Sequence, residues 1–146
     1  MNIANQVSRA ITAFLETQTI PNDPTVINGL TTDLNDESQS RVIVIGTSAE
    51  LRKASLPGLY DVSGTVNVIQ SVDDTDGETR FTDICDSIQS ILGGKYTMPA
   101  ILEGIDSDLK IYSYQWLGSS LAASTRKFMA TYNWTAFTRN SPTTTT

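Results

Sequence analysis

"LYDVSGTVNVIQSVDDTDGETRFTDICDSIQSIL", residues 59 to 92, changes its hydrophobic period once, and that change sets the fold. Val62, Val66, Val68 and Val72 fall at period two, which predicts a strand over residues 59 to 72 with one buried face. Beyond the acidic turn, Phe81, Ile84, Cys85, Ile88, Ile91 and Leu92 step at helical spacing. Thr75 and Glu78 form T-x-x-E, a capping box in which hydroxyl and carboxylate each satisfy an amide of the helix start. Asp76 and Glu78 then sit where the positive end of the helix dipole favours them, and Gly93-Gly94 supplies a left-handed stop.

The same acidic turn invites comparison with a calcium loop of the EF-hand type. Placing Gly77 at loop position 6 puts Asp76 and Asp74 at ligand positions, but leaves Val72 at position 1 and Asp83 at position 12. Two ligand sites fail, so the helix cap is the fuller account.

Working towards the N-terminus, "RVIVIG" at 41 to 46 is a buried strand by its β-branched run. "TSAELRKASLPGL" follows as a long connection from Thr47 to Leu59. Residues 21 to 40 are rich in Pro, Asn, Asp, Thr and Ser, with Asn28-Gly29 suited to a tight turn. Val26-Ile27 and Leu30 there suggest a hairpin or an anchored loop. Ile3, Val7, Ala10, Ile11, Phe14 and Leu15 share one helical face, capped by Asn2 and closed before Pro21.

Towards the C-terminus, "TMPAILEGI" suits a short helix starting near Pro99. "LKIYSYQWLG", 109 to 118, and "RKFMATYNWTAFTR", 126 to 139, are aromatic strands joined by the small-residue turn "SSLAAST". Phe128, Ala130, Tyr132, Trp134 and Ala136 share a face of the second. The expected architecture is α+β: a largely antiparallel sheet of two hairpins, covered on one face by two helices. Residues 1 to 139 make a single domain with a loop-rich segment at 21 to 40, and 140 to 146 form a flexible Thr-rich tail.

Composition narrows the chemistry. At 146 residues the chain has the size of one domain with a real core. A net charge of -6 argues against binding nucleic acid by neutralising phosphates. Histidine is absent, which removes His-dependent triads and most catalytic zinc and iron sites. The single cysteine, Cys85, falls on the apolar stripe of its helix, where a thiol acts as a small hydrophobe. One cysteine makes no internal disulfide, so a reducing compartment is expected. No secretory leader or membrane-length apolar run is found in the sequence.

Site-like patterns have structural readings beside them. "GGKYT", 93 to 97, departs from a phosphate loop, with Gln89 for its first glycine and Tyr96 for its hydroxyl residue, and it follows a helix instead of preceding one. Asp73/Asp74 and Asp106/Asp108 could form an acid/base couple, or supply ordinary turn chemistry. Asn133-Trp134-Thr135 matches a glycosylation sequon but falls within an expected strand. Tyr112, Tyr114, Trp116, Tyr132 and Trp134 gather on the last hairpin. A stacking platform for single strands needs a basic groove, and only Lys110, Arg126, Lys127 and Arg139 flank them. Cross-strand aromatic packing is the alternative, with some rings facing another subunit.

The run from "LPGLYDVSGTVNVIQSVDDTDGETRFTDICDSIQSIL" to "IYSYQWLGSSLAASTRKFMATYNWTAF" resembles the tail terminator and related neck or tail-completion proteins of tailed bacteriophages. The likeness is one of element order over roughly residues 1 to 139. It implies a structural virion protein: a homo-oligomeric ring, usually a hexamer, that caps the tail tube and joins it to the neck and head. No catalytic residue, metal or cofactor is implied. Tail tube and neck or connector proteins are the implied partners, and DNA passes through an acidic lumen that repels its backbone. The long connection would present Leu51, Leu56 and Leu59 beside Arg52 and Lys53, with Tyr60 at its foot, as interface residues of the ring. Other readings are a different phage connector subunit and, from another class, a small metal-dependent or carboxylate enzyme using Asp73, Asp74 and Asp76.

Overall fold

A computed structural model describes residues 3–29, 40–51, 58–71, 77–93, 97–123 and 127–140. Three helices and five strands follow in the order α1 (Ile3–Glu16), β1 (Thr25–Asn28), β2 (Arg41–Leu51), β3 (Leu59–Ser71), α2 (Gly77–Leu92), α3 (Met98–Ile105), β4 (Leu109–Ala123) and β5 (Lys127–Asn140). The strands form one sheet in the order β1-β2-β3-β5-β4. Every pairing is antiparallel except β1 with β2, so the fold is the α+β class expected.

Alternation in the strands decides which face the helices take. Val62, Val66 and Val68 on β3, and Ala130, Tyr132, Trp134 and Ala136 on β5, are buried together with Val42 and Val44 of β2. Against them lie Ile3, Val7, Ile11 and Leu15 of α1, Phe81, Ile84, Cys85, Ile88 and Leu92 of α2, and Met98 and Leu102 of α3. Each large aliphatic side chain so buried contributes about 1.5–3 kcal/mol. The intervening residues Ser63, Thr65, Asn67, Thr131, Asn133 and Thr135 face the other way and stay partly or fully exposed.

Four residues form one row across this face. Gly46 on β2 pairs with Gly64 on β3, Gly64 with Trp134 on β5, and Trp134 with Trp116 on β4. A Cβ at 46 would overlap the Ala4 carbonyl of α1, and one at 64 would overlap the Trp134 ring. Two glycines thus make room, one for a helix backbone and one for an indole.

β1 is the short parallel strand that the sequence left as a hairpin or anchored loop. Consecutive left-handed residues Asn22 (φ 66) and Asp23 (φ 47) turn the chain into it, a conformation these two side chains tolerate better than most. Its last residue is tied to α1: Ser8 Oγ and Thr12 Oγ1 lie 3.0 and 3.2 Å from Asn28 Oδ1. Each hydroxyl has one proton, shared with a carbonyl of α1 at 2.9 Å (Asn5) or 2.8 Å (Ser8). Gly29, with φ 89, ends the strand.

Four expectations are corrected. A third helix, α3, joins the two counted for the covering layer. Thr47–Leu51 is no loop but the outer part of β2, pairing with β3 as far as Leu51↔Tyr60. "SSLAA" is not a turn but the end of β4, whose pairing with β5 runs on to Ala123↔Phe128. Gly93 does not turn left-handed; its N–H continues the helix by donating to the Gln89 carbonyl at 2.8 Å. Asn2, the T-x-x-E start at Thr75, Val72, Leu30, Gly94 and the tail at 141–146 lie outside the described residues.

Candidate assembly surface

α2 contacts both strands of the last hairpin. Phe81 stacks on Phe128 with ring centroids 5.5 Å apart, and Tyr132 Oη donates to the Cys85 carbonyl at 3.4 Å. One turn on, Trp116 Nε1 donates to Gln89 Oε1 at 2.8 Å, and Tyr114 Oη to the Leu92 carbonyl at 3.2 Å. Trp116 also stacks on Tyr132 at 5.2 Å. The aromatics of the last hairpin therefore pack across strands and against α2.

Beyond Trp116 the covering of β4 stops. β4 is displaced by irregularities between Ile111 and Ser113 and between Trp116 and Ser119, and residues 117–122 of this edge strand are exposed although α2 still covers Phe128 of their partner strand β5. Leu121 is 71% exposed there, and Leu117 and Met129 are exposed too. At the opposite end of the sheet, Leu51 is 50% exposed on the outer part of β2. Tyr112 is exposed and leans on Phe137 at 5.3 Å.

The other face of the sheet carries many polar residues, among them Ser63, Thr65, Asn67, Thr131 and Thr135, while Ile43 and Ile69 on it are buried. Asn67 accepts from Thr131 at 2.8 Å across the β3–β5 pair, and Ser48 Oγ lies 2.6 Å from Ser63 Oγ across β2–β3. A shallow trough of about 470 Å³ opens near this end, lined by Ser48, Glu50, Asp61, Ser63, Thr135 and Phe137 among others. Glu50 and Asp61 are direct cross-strand partners, an arrangement of like charges that sheets tolerate at exposed positions and at small cost.

Of the six residues expected at an interface, Leu51, Leu59 and Tyr60 are described, and Arg52, Lys53 and Leu56 lie outside the described residues. Leu51 and Tyr60 face each other across β2–β3, which brings them together; Leu59 pairs instead with Arg139 of β5. Ser119–Ala122 of β4 were missed as part of this exposed edge because their small residues were read as a turn.

Chemical groups in this region are muted. Burial pushes the Cys85 thiol above its ordinary value, with Asp86 adding to the shift and the Tyr132 hydrogen bond opposing it, so the thiol stays protonated. Burial likewise raises the phenols of Tyr114 and Tyr132. Asp106 is used in a turn: it caps α3, accepts from the Asp108 N–H at 3.0 Å and from Gln6 Nε2 at 3.1 Å. Asn133 lies in β5 with its amide 3.4 Å from the Gly118 carbonyl. Among the described residues no group of three acidic or thiol side chains is placed to hold a metal, and Asp73, Asp74 and Asp76 lie outside them. No described helix is long and apolar enough to cross a membrane.

No protein-family model matches the chain, and no curated protein matches it either. The functional reading therefore rests on the fold and its surface.

Proposed function

We propose that this chain is a structural virion protein, a tail terminator-like subunit whose copies close into a ring that caps a phage tail tube and joins it to the neck. The observation that carries this reading is the exposure of large apolar side chains at the margins of the sheet, Leu51 on the outer part of β2 and Leu117 and Leu121 on the edge strand β4. Exposed leucines at the margins of the sheet gain burial in an assembly. The element order resembles that family, and six copies is the number the resemblance implies. A ring of chains carrying -6 each would present phosphate with repulsion, so DNA would slide through its lumen without adhering.

Electron microscopy and mass photometry of the purified chain, alone and mixed with tail tubes, test this. The expected result is a discrete ring, free or seated on tube ends. A chain that stays monomeric in both conditions and leaves the tube ends bare overturns the proposal.

A further inference from the structure

The two edges of the sheet fit one another. β1 runs with β2, β3 against β2, β5 against β3 and β4 against β5, so the edge strands β1 and β4 point in opposite directions. Copies related by rotation about an axis along the strands would bring β4 of one beside β1 of the next in the antiparallel sense. The stretches that would meet carry no charge: Thr25–Asn28 has none, and none occurs from Ile111 to Ala123, although the chain as a whole is at -6. Edge strands that avoid pairing are commonly guarded by charge, and these are the places where two acidic copies approach with least repulsion.

Backbone bonding agrees. Thr25 and Gly29 donate to the Ser40 and Val44 carbonyls at 3.0 and 2.8 Å, so the pleat turns the backbone groups of Val26 and Asn28 outward. On β4, the Ile111 N–H points away from β5 and donates to Glu103 Oε2 at 3.0 Å, which caps the edge at that point. Past the irregularity, Phe137 turns its groups to Ser113, so Tyr114 and Trp116 face outward. Among the described residues no backbone bond occupies that side of β4 beyond Ile111. Side-chain faces match as well: Val26 packs on the core, Asn28 reaches α1, and Tyr114 and Trp116 pack against the helix-covered face.

Resting on the ring reading above, we infer that β1 of a neighbouring copy adds antiparallel to β4 along Ser113–Trp116, pairing Val26 with Tyr114 or Trp116. In either register three of the four residues of β1 fall opposite the uninterrupted run Ser113–Trp116 between the two irregularities of β4. Face and bonding direction together leave Gln115 opposite Thr25 or Ile27 of the neighbour.

Oxidative cross-linking of assembled rings tests the pairing, with buried Cys85 left in place. Gln115→Cys combined with Thr25→Cys or with Ile27→Cys should give, in one of the two combinations, a ladder of covalent multimers up to the full ring, and each single variant should give none. Dimers from Gln115→Cys alone would mean that two β4 edges meet, which overturns the inference. Rings that form normally but yield no ladder from either combination also overturn it while leaving the ring itself standing. A parent chain that never self-associates, with or without tubes, overturns both.

Discussion

Gly64 of β3 lies directly beneath the indole of Trp134, its cross-strand partner on β5, and a methyl group at 64 would overlap the ring. Trp134 is fully buried, and its Nε1 has no hydrogen-bond partner among the described residues. Gly64→Ala should therefore cost about 1–3 kcal/mol by overpacking. Trp134→Ala should cost about 3–5 kcal/mol. Trp134→Phe should cost much less than the alanine change, because the lost volume is offset by removing an unsatisfied donor that costs about 1–3 kcal/mol. Urea denaturation of the three variants checks the order; a Phe variant as unstable as the Ala variant would contradict it.

Glycines elsewhere should behave differently. Gly46→Ala meets the Ala4 carbonyl and should push α1 off the sheet at a cost of about 1–3 kcal/mol. At Gly104, inside α3, an added Cβ meets nothing within 4 Å, so Gly104→Ala should stabilise by about 0.5–1 kcal/mol through helix propensity. Thermal melts of the pair should move in opposite directions.

Glu103 makes two contacts of unequal worth. Its Oε2 accepts from the Ile111 N–H at 3.0 Å, and its Oε1 lies 3.9 Å from Lys110, whose side chain is largely exposed. The ion pair should be worth little, so Lys110→Ala should change stability by under about 0.5 kcal/mol. Glu103→Ala should lose about 1–2 kcal/mol, with Glu103→Gln keeping part of it as an acceptor. Equal losses for Lys110→Ala and Glu103→Ala would reverse that assignment.

Alkaline pH should unfold the protein. Burial raises the phenols of Tyr114 and Tyr132 in the folded state; for Tyr132 the neighbouring Cys85 and Asp86 add to it. The unfolded chain then releases these protons first, so their contribution is complete below the ordinary phenol value of about 10 and is lost as pH rises beyond it. Tyrosinate absorbance should show Tyr114 and Tyr132 ionising together with loss of the fold, and Tyr114→Phe should weaken the dependence. Ionisation of both below pH 10 in the intact fold would contradict this.

Legibility in the sequence followed burial. Where strands meet the helical layer, as at Val62, Val66 and Val68 or Ala130, Tyr132 and Trp134, alternation is strict and the strands were placed correctly. Outside that layer nothing forces an apolar side chain to one face. Thr47, Ser48 and Glu50 on β2, and Ser119, Ser120 and Ala122 on β4, therefore look like loop residues although backbone pairing continues through them. β1 has only Val26 and Ile27 to signal a strand, and its parallel sense depends on a long-range pairing that no local pattern encodes. Leu51 and Tyr60 stood out in the sequence because they are large and apolar. The β4 edge did not, since its distinguishing property is an absence of charge spread over many residues.

The position of β5 constrains how the polypeptide can be made. It is the last described strand in sequence, yet it lies between β3 and β4, pairing with β3 from Leu59↔Arg139 to Ser71↔Lys127. Until Lys127–Asn140 has left the ribosome, Val62, Val66 and Val68 have no strand beside them on that flank, and β4 has nothing to join. Synthesis from the N-terminus thus cannot lock the core in stages; closure waits for the final stretch, and a truncated product is left for chaperones or proteases.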